Sequence, residues 1–193
     1  GHTIHQQIGK GADQLVPALV PDADGPERAA ISHAHDEIFR SRYLSEVQPF
    51  ADAGKLVARL SDGGIKVVLA SSAKRAEVDH YIELLGITHL LEGSTCADDV
   101  LKSKPAGDVF MTALDKLDSV TADRTLVIGD TPYDAIAAAK CGMATLGVLS
   151  GGFSEPLLRS AGCVAVCASV SQVLESLDPD PQQTATGGLP LTR

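Results

Sequence analysis

Continuous apolar runs of strand length alternate with segments of helical periodicity along most of this chain. The predicted strands are Lys66–Ala70, His89–Leu91, Thr125–Ile128, Ala144–Val148 and Cys163–Cys167. The predicted helices are Leu56–Leu60, Glu77–Leu85, Asp108–Leu117, Ala135–Lys140, Glu155–Ser160 and Val170–Leu177. Because these strands are apolar throughout, the alternation predicts an α/β fold with a parallel sheet covered by helices on both faces.

The two ends of the chain have a different pattern. Residues 1–47 predict helices without strands: Asp13 is placed to cap a helix that runs to Val20, and a second helix covers Ala29–Tyr43. A flexible cationic turn, Gly9-Lys10-Gly11, precedes them. The division is therefore a helical module at 1–47, a core at 48–177 and a tail at 178–193, whose Pro, Gln, Thr and Gly content predicts disorder.

Composition narrows the class of protein. The 193 residues are 44% hydrophobic, enough for a buried core, and carry a formal charge of −9. A net negative charge with no cluster of Lys and Arg residues argues against nucleic-acid binding. No apolar run reaches the length of a membrane span. The cysteines at 96, 141, 163 and 167 lack the spacing of a zinc site and fit reduced thiols in a cytoplasmic protein.

The segment from Leu126 to Asp134 carries the strongest chemical signal. An apolar strand ends at Gly129, Asp130 follows at its carboxyl end, and Asp134 lies four residues further on, at a helix start. Ligands bind where parallel strands end, and Mg²⁺ takes one or two carboxylates with water. The pair predicts a magnesium site; the structural alternative is a helix cap and a first-turn acid.

Two weaker signals follow other predicted elements. Ser71 and Ser72 come directly after a strand, where hydroxyl and backbone N–H groups can hold phosphate, although a helix N-cap is the commoner role for such a pair. Lys104 stands before Pro105, just ahead of a helix, and can offset charge on a phosphoryl group. Alone, such a lysine is more often a solvated surface residue.

The order of these segments resembles motifs two, three and four of the haloacid dehalogenase superfamily, particularly its phosphoglycolate phosphatase and phosphoglucomutase-like members. The segments are Val67-Val-Leu-Ala-Ser71-Ser72, Lys104-Pro-Ala-Gly-Asp108 and Val127-Ile-Gly-Asp130-Thr-Pro-Tyr-Asp134. The resemblance implies a Rossmann-like core with a helical cap and a magnesium-dependent phosphatase of small phosphate monoesters. A phosphosugar mutase and a non-catalytic metal- or phosphate-binding protein stay open as alternatives.

The resemblance also implies roles for individual residues. Ser71, with Ser72, would bind the transferred phosphoryl group, and Lys104 would orient the nucleophile and neutralise phosphate charge. Asp130 would bind Mg²⁺, with Asp134 supporting the metal through water. Residues 1–47 would match part of the family's cap, in which Lys10 would meet the distal end of a small phosphorylated metabolite.

The sequence departs from the family at its first motif, a strand ending in Asp-x-Asp that carries the nucleophile. Asp22-Ala23-Asp24 matches only superficially, since it follows a helical segment and precedes Gly25-Pro26, and a surface turn is the better interpretation. We therefore expect little or no turnover from this chain. The missing strand is central in the family's sheet, so two strand edges would lack a partner, at roughly 1–3 kcal/mol per unpaired buried group.

Overall fold

The computed structural model describes residues 2–177, and the predicted disordered tail lies outside them. The helices are α1 His2–His5, α2 Ala12–Leu19, α3 Gly25–Arg42, α4 Ala53–Asp62, α5 Arg75–Leu85, α6 Asp108–Leu114, α7 Pro132–Lys140, α8 Glu155–Ser160 and α9 Val170–Leu177. The strands are β1 Val68–Ala70, β2 Gly93–Thr95, β3 Leu126–Gly129, β4 Ala144–Val148 and β5 Cys163–Cys167. Short 3₁₀ turns lie in several connections.

The strands are parallel, as predicted, but form two sheets. β1 pairs with β2, and β3, β4 and β5 form the second sheet in that order. Within residues 2–177 no strand pairs with β3 on the side away from β4, and Ile128 of this apolar strand stays 36% exposed. This division agrees with the expectation that two strand edges would lack a shared partner.

Helices cover both faces of the larger sheet. Leu56 of α4 and Val173 of α9 pack on Leu146 and Val148 of β4. On the opposite face, α7 and α8 enclose a cluster of buried residues: Ala135, Phe153, Leu158 and Cys163. Side chains of β4 alternate between these faces because successive residues of a strand point in opposite directions.

Helix α6 connects the two sheets. Val109 and Phe110 of α6 are buried with Val127 of β3, and Ala70 of β1 packs against the same cluster. Thr95 of β2 also donates from its hydroxyl to the Val109 carbonyl at 3.2 Å. The strands that carry the predicted serines and aspartates are therefore held together by packing across α6.

Helix α3 begins earlier than its apolar pattern predicts. Asp24 is the N-cap, and it forms a capping box with Glu27 in which each side chain accepts from the other residue's backbone N–H. Asp22 is exposed in the preceding turn. The Asp-x-Asp match thus stands at a helix start, which confirms the interpretation as a surface turn.

The same helix contributes little to the core. Along its 18 residues α3 buries no side chain, and Ile31 and Ile38 are 39% and 48% exposed.

No helix within residues 2–177 combines the length and apolar character needed to cross a membrane.

Two local predictions were wrong. Asp13 does not cap α2; the N-cap is Gly11, and the Asp13 carboxylate instead accepts a hydrogen bond from a distant loop at Ser103. His89–Leu91 is not a strand; Thr88–Leu90 forms a 3₁₀ turn, and the strand lies at the more polar Gly93–Thr95. Pairing with β1, which hydropathy does not encode, selects that segment.

Candidate active site

The turn from β3 into α7 fixes the predicted carboxylates. Asp130 follows β3, Thr131 caps α7, and Pro132 occupies the first helical turn. The Asp134 Oδ2 atom accepts from the Thr131 backbone N–H at 3.0 Å and from its hydroxyl at 2.7 Å. This capping box buries Asp134, which is 5% exposed, and holds its carboxylate beneath the turn.

Lys104 completes a buried ion pair with that carboxylate. Its Nζ lies 2.7 Å from Asp134 Oδ1, and the two side chains are only 11% and 7% exposed. The ammonium also lies 5.7 Å from the centre of the Phe110 ring. The structure therefore places Lys104 inside the protein, not on the solvated surface that a lone lysine would favour.

Asp130 is half-buried beside this pair. Burial raises the pKa of its carboxyl group, the negative charge of Asp134 raises it further, and the charge of Lys104 acts in the opposite direction. Asp130 thus presents a carboxylate whose negative charge is stabilised poorly by the protein alone. A bound cation would relieve that cost.

The predicted serines stand at the end of the other sheet. The Ser71 N–H donates to the Thr95 carbonyl at 3.0 Å, and its hydroxyl accepts from the Ala73 N–H at 3.1 Å. Neither serine caps α5, whose N-cap is Lys74. The Ser72 hydroxyl oxygen is buried, and within the described part of the chain it has no hydrogen-bond partner.

The structure thus brings Lys104, Asp130 and Asp134 together directly. Ser71 and Ser72 are connected to them through the packing of the preceding Ala70 against the cluster that contains Phe110.

The predicted cationic turn lies over the β3–α7 junction. The Lys10 Nζ is 4.8 Å from the centre of the Tyr133 ring and donates to Gln7 Oε1 at 2.5 Å. The Tyr133 hydroxyl donates to the backbone carbonyl of Gln6. Further along, the His5 ring stacks on Phe153 with 5.1 Å between centroids.

Both glycines of that turn make close approaches. At Gly9, where φ is 99°, an added Cβ would lie 2.6 Å from the Thr131 Cγ2 atom. At Gly11 an added Cβ would lie 2.2 Å from the Ser103 Oγ atom. The turn described from sequence as flexible is thus seated against the two loops that carry Lys104 and Asp130.

Sequence reasoning missed Thr131 and Tyr133 as parts of this site. The Thr131-x-x-Asp134 spacing is the signature of a capping box and was available in the sequence. The contact of Tyr133 with Gln6 spans 127 residues and left no local signal.

The carboxylates of this site are consistent with Mg²⁺, which keeps water ligands. They are not consistent with a metal ion whose ligands all come from protein side chains. Among residues 2–177, no group of three or more His, Cys, Asp or Glu side chains is arranged to hold a metal ion. Mg²⁺ usually keeps several waters and needs only one or two carboxylates. A direct ligand from this pair would come from Asp130, because both oxygens of Asp134 already accept hydrogen bonds from Lys104 and Thr131.

Parallel strands whose carboxyl ends carry these polar groups place the chain among the α/β proteins with a ligand crevice at the strand ends. The family model described as "Haloacid dehalogenase-like hydrolase" matches residues 3–148. The chain belongs to this family, as its motifs indicated.

Individual relatives agree with this assignment. The chain is 27% identical to a phosphoglycolate phosphatase of Rhodospirillum rubrum, in an alignment covering 97% of the chain and 80% of that protein. A hydrolase from Pseudomonas syringae superposes with a TM-score of 0.84 at 26% identity, over 92% of this chain and 82% of that one. Against two relatives named PpaX, from Clostridium perfringens and Caldanaerobacter subterraneus, the chain spans about half their length, 48% and 50%.

Proposed function

We propose that this chain carries the phosphate- and magnesium-binding part of a phosphatase site that acts on small phosphate monoesters. The observation that carries the proposal is the buried Lys104–Asp134 pair, 2.7 Å apart, beside the half-buried carboxylate of Asp130. An ammonium and a carboxylate fixed at the end of a parallel strand suit a dianionic phosphate with its metal ion.

The roles divide between the two sheets. Asp130 would ligate Mg²⁺, which when bound neutralises charge on phosphoryl oxygens. Asp134 fixes the Lys104 ammonium and would reach the metal only through water, since its oxygens are occupied. Lys104 offsets phosphate charge, and the Ser71 hydroxyl with the unpaired Ser72 hydroxyl would bind phosphoryl oxygens from the opposite side.

Lys10 is proposed to meet the distal end of the substrate. Its ammonium stands above the Tyr133 ring, at the rim of the turn that carries Asp130. A second anionic group on a small metabolite would find this cation, in keeping with the phosphoglycolate phosphatase among the relatives.

The proposal includes little or no turnover by the 193-residue chain tested by itself. Within residues 2–177 no strand precedes the helices α2 and α3, and the Asp22–Asp24 segment begins a helix. A nucleophilic carboxylate at a strand end is needed to form an aspartyl phosphate. Binding of phosphate and Mg²⁺ is therefore the activity expected of this chain.

The test combines binding with turnover. Orthophosphate with Mg²⁺ should raise the unfolding temperature, because a ligand at 100 times its Kd adds about 2.7 kcal/mol to the stability of the folded state. Asp130→Asn should remove the Mg²⁺ contribution to that rise. An unchanged unfolding temperature of the wild-type chain at millimolar phosphate and Mg²⁺ would contradict the proposal.

Turnover is measured with p-nitrophenyl phosphate and phosphoglycolate in the presence of Mg²⁺. We expect the wild-type chain to release no more phosphate than a reaction without protein. The variants Asp22→Asn and Asp24→Asn should give the same result. Clear turnover that either substitution abolishes would show that the Asp22–Asp24 segment supplies the nucleophile after all.

We also propose that the protein acts in the cytoplasm. The four cysteines are free thiols, and three of them are buried. Thiols that form no disulfide are typical of proteins in a reducing compartment, which supports this proposal.

A further inference from the structure

The loop that carries Lys104 is held from two sides. On the core side, the Lys140 Nζ of α7 donates to the Pro105 carbonyl at 2.6 Å. On the other side, the Asp13 carboxylate of α2 accepts from the Ser103 backbone N–H at 3.0 Å. Ser103 and Lys104 are 4% and 9% exposed, so this N-terminal contact reaches a buried part of the site.

The first residues of α2 lie close to the loop that carries Lys104. Gly11 is the N-cap and offers no side chain for capping, while its backbone lies against Ser103, where an added Cβ would overlap the hydroxyl. Asp13, in the first turn, therefore directs its carboxylate to the loop instead of to its own helix.

The charge on Asp13 is also favoured. Burial acts to raise the pKa of Asp13, but hydrogen bonds from Gln14 and Ser103 outweigh it and the pKa is lowered. The acceptor thus stays ionised, which strengthens a bond from a backbone N–H.

We propose that Asp13 is a positioning residue for Lys104, which couples the helical N-terminal segment to the phosphate site. The N–H that Asp13 holds is that of Ser103, the residue directly before Lys104, so the bond fixes the backbone from which the lysine side chain leaves. Displacing α2 would release this peptide and let the ammonium leave Asp134. This inference rests on the proposed function of Lys104 in phosphate binding.

The first measurement follows the lysine itself and needs no ligand. Acetic anhydride labelling with mass spectrometry compares the wild type, Asp13→Ala, Asp13→Asn and the control Asp22→Ala, which removes an exposed acid of the same segment. Labelling of Lys104 should increase several-fold in Asp13→Ala, while the exposed Lys102 keeps its rate. Asp13→Asn retains an acceptor oxygen and should fall between Asp13→Ala and the wild type.

The second measurement is the affinity for orthophosphate with Mg²⁺. It should fall about tenfold in Asp13→Ala, the factor that corresponds to 1.4 kcal/mol, and recover in part in Asp13→Asn. The far-UV circular dichroism of each variant confirms that the fold is kept, and Asp13→Asn serves if Asp13→Ala does not fold.

The outcomes separate the two proposals. If Lys104 labelling is the same in the wild type and both Asp13 variants, the positioning role is wrong, whatever the phosphate affinity. If labelling increases as expected but the wild type binds no phosphate, the positioning of Lys104 stands and the proposed function fails.

Discussion

At the scale of single residues, Asp134 organises the candidate site. One oxygen holds the Lys104 ammonium, and the other accepts two hydrogen bonds from Thr131. Removing one member of a buried ion pair is costly because it leaves the other charge without compensation. Asp134 therefore joins the stability of the β3–α7 turn to the chemistry proposed for Lys104.

We predict that Lys104→Met destabilises the protein by about 3 kcal/mol, because it leaves the buried Asp134 carboxylate without its cation. The control is Lys102→Met, which replaces an exposed lysine two residues earlier in the chain. It should change stability by about 0.5 kcal/mol or less. Urea unfolding measures both. In the double variant Lys104→Met/Asp134→Asn the loss should be smaller than the sum of the single losses. Equal stability of the two Met variants would mean that the ion pair does not form in solution.

At the scale of elements, the contact between α3 and α5 concentrates acidic groups at the boundary between the N-terminal helices and the core. Lys74, at the N-cap of α5, forms an ion pair with Asp36 of α3. Glu77 of α5 is 8% exposed, and its pKa is raised by burial and then by the negative charge of Asp36. Lys74 offsets that repulsion only in part.

This arrangement makes stability depend on pH through Glu77. Because the pKa of Glu77 in the folded protein lies above its ordinary value of 4.5, the folded state binds the proton more tightly than the unfolded state. The resulting stability is present below pH 4.5 and is lost as the pH rises through the raised pKa. Glu77→Gln should therefore stabilise the protein at pH 7, and the difference from the wild type should disappear near pH 4.

Urea midpoints at pH 4, 5.5 and 7 measure this effect, with Glu83→Gln on the exposed side of α5 as the control. The pKa of Asp36 is lowered, so this residue makes the stability rise with pH, opposite to the effect of Glu77. For this reason the variants are compared with one another at each pH. A Glu77→Gln gain that is independent of pH would indicate altered packing in place of a removed charge.

Elements defined by local chemistry were predictable from the sequence. Ala144–Val148 and Cys163–Cys167 are strands with the predicted bounds, because their apolar runs are long enough to fill a covered sheet. Long-range pairing produced the differences. Gly93–Thr95 has little strand character and is selected by its partner β1, and Asp13 is drawn from capping its helix by an N–H group 90 residues away.

In the candidate site, too, local sequence features were predictable and long-range contacts were not. The sequence indicated Lys104, Asp130 and Asp134 through motif spacing, and the structure brings these three together. The spacing also offered the capping box of Thr131 with Asp134, but not the contact of the other Asp134 oxygen with Lys104, because that contact depends on the position of a lysine 30 residues away.

At the scale of the whole molecule, two small sheets share one helical layer. No strand pairs β1 with β3 in the described chain, so the cluster around Phe110 of α6 is the packing that joins the strand bearing the serines to the strand bearing Asp130. The same ring lies beneath the Lys104 ammonium. The geometry of the site therefore depends on a hydrophobic contact more than on strand pairing.

We predict that Phe110→Ala destabilises the protein by about 3–5 kcal/mol, the usual cost of deleting a buried aromatic ring, and separates the unfolding of the two sheets. Phe110 is 5% exposed, whereas Phe50, at 55%, provides the matched control, so Phe50→Ala should leave stability nearly unchanged. Hydrogen exchange should show the amides of β1, β2 and α6 losing protection well before those of β4 and β5, which keep their own paired sheet. If protection fell equally in both sheets, they would unfold as one cooperative unit, and a contact other than the Phe110 cluster would have to join them.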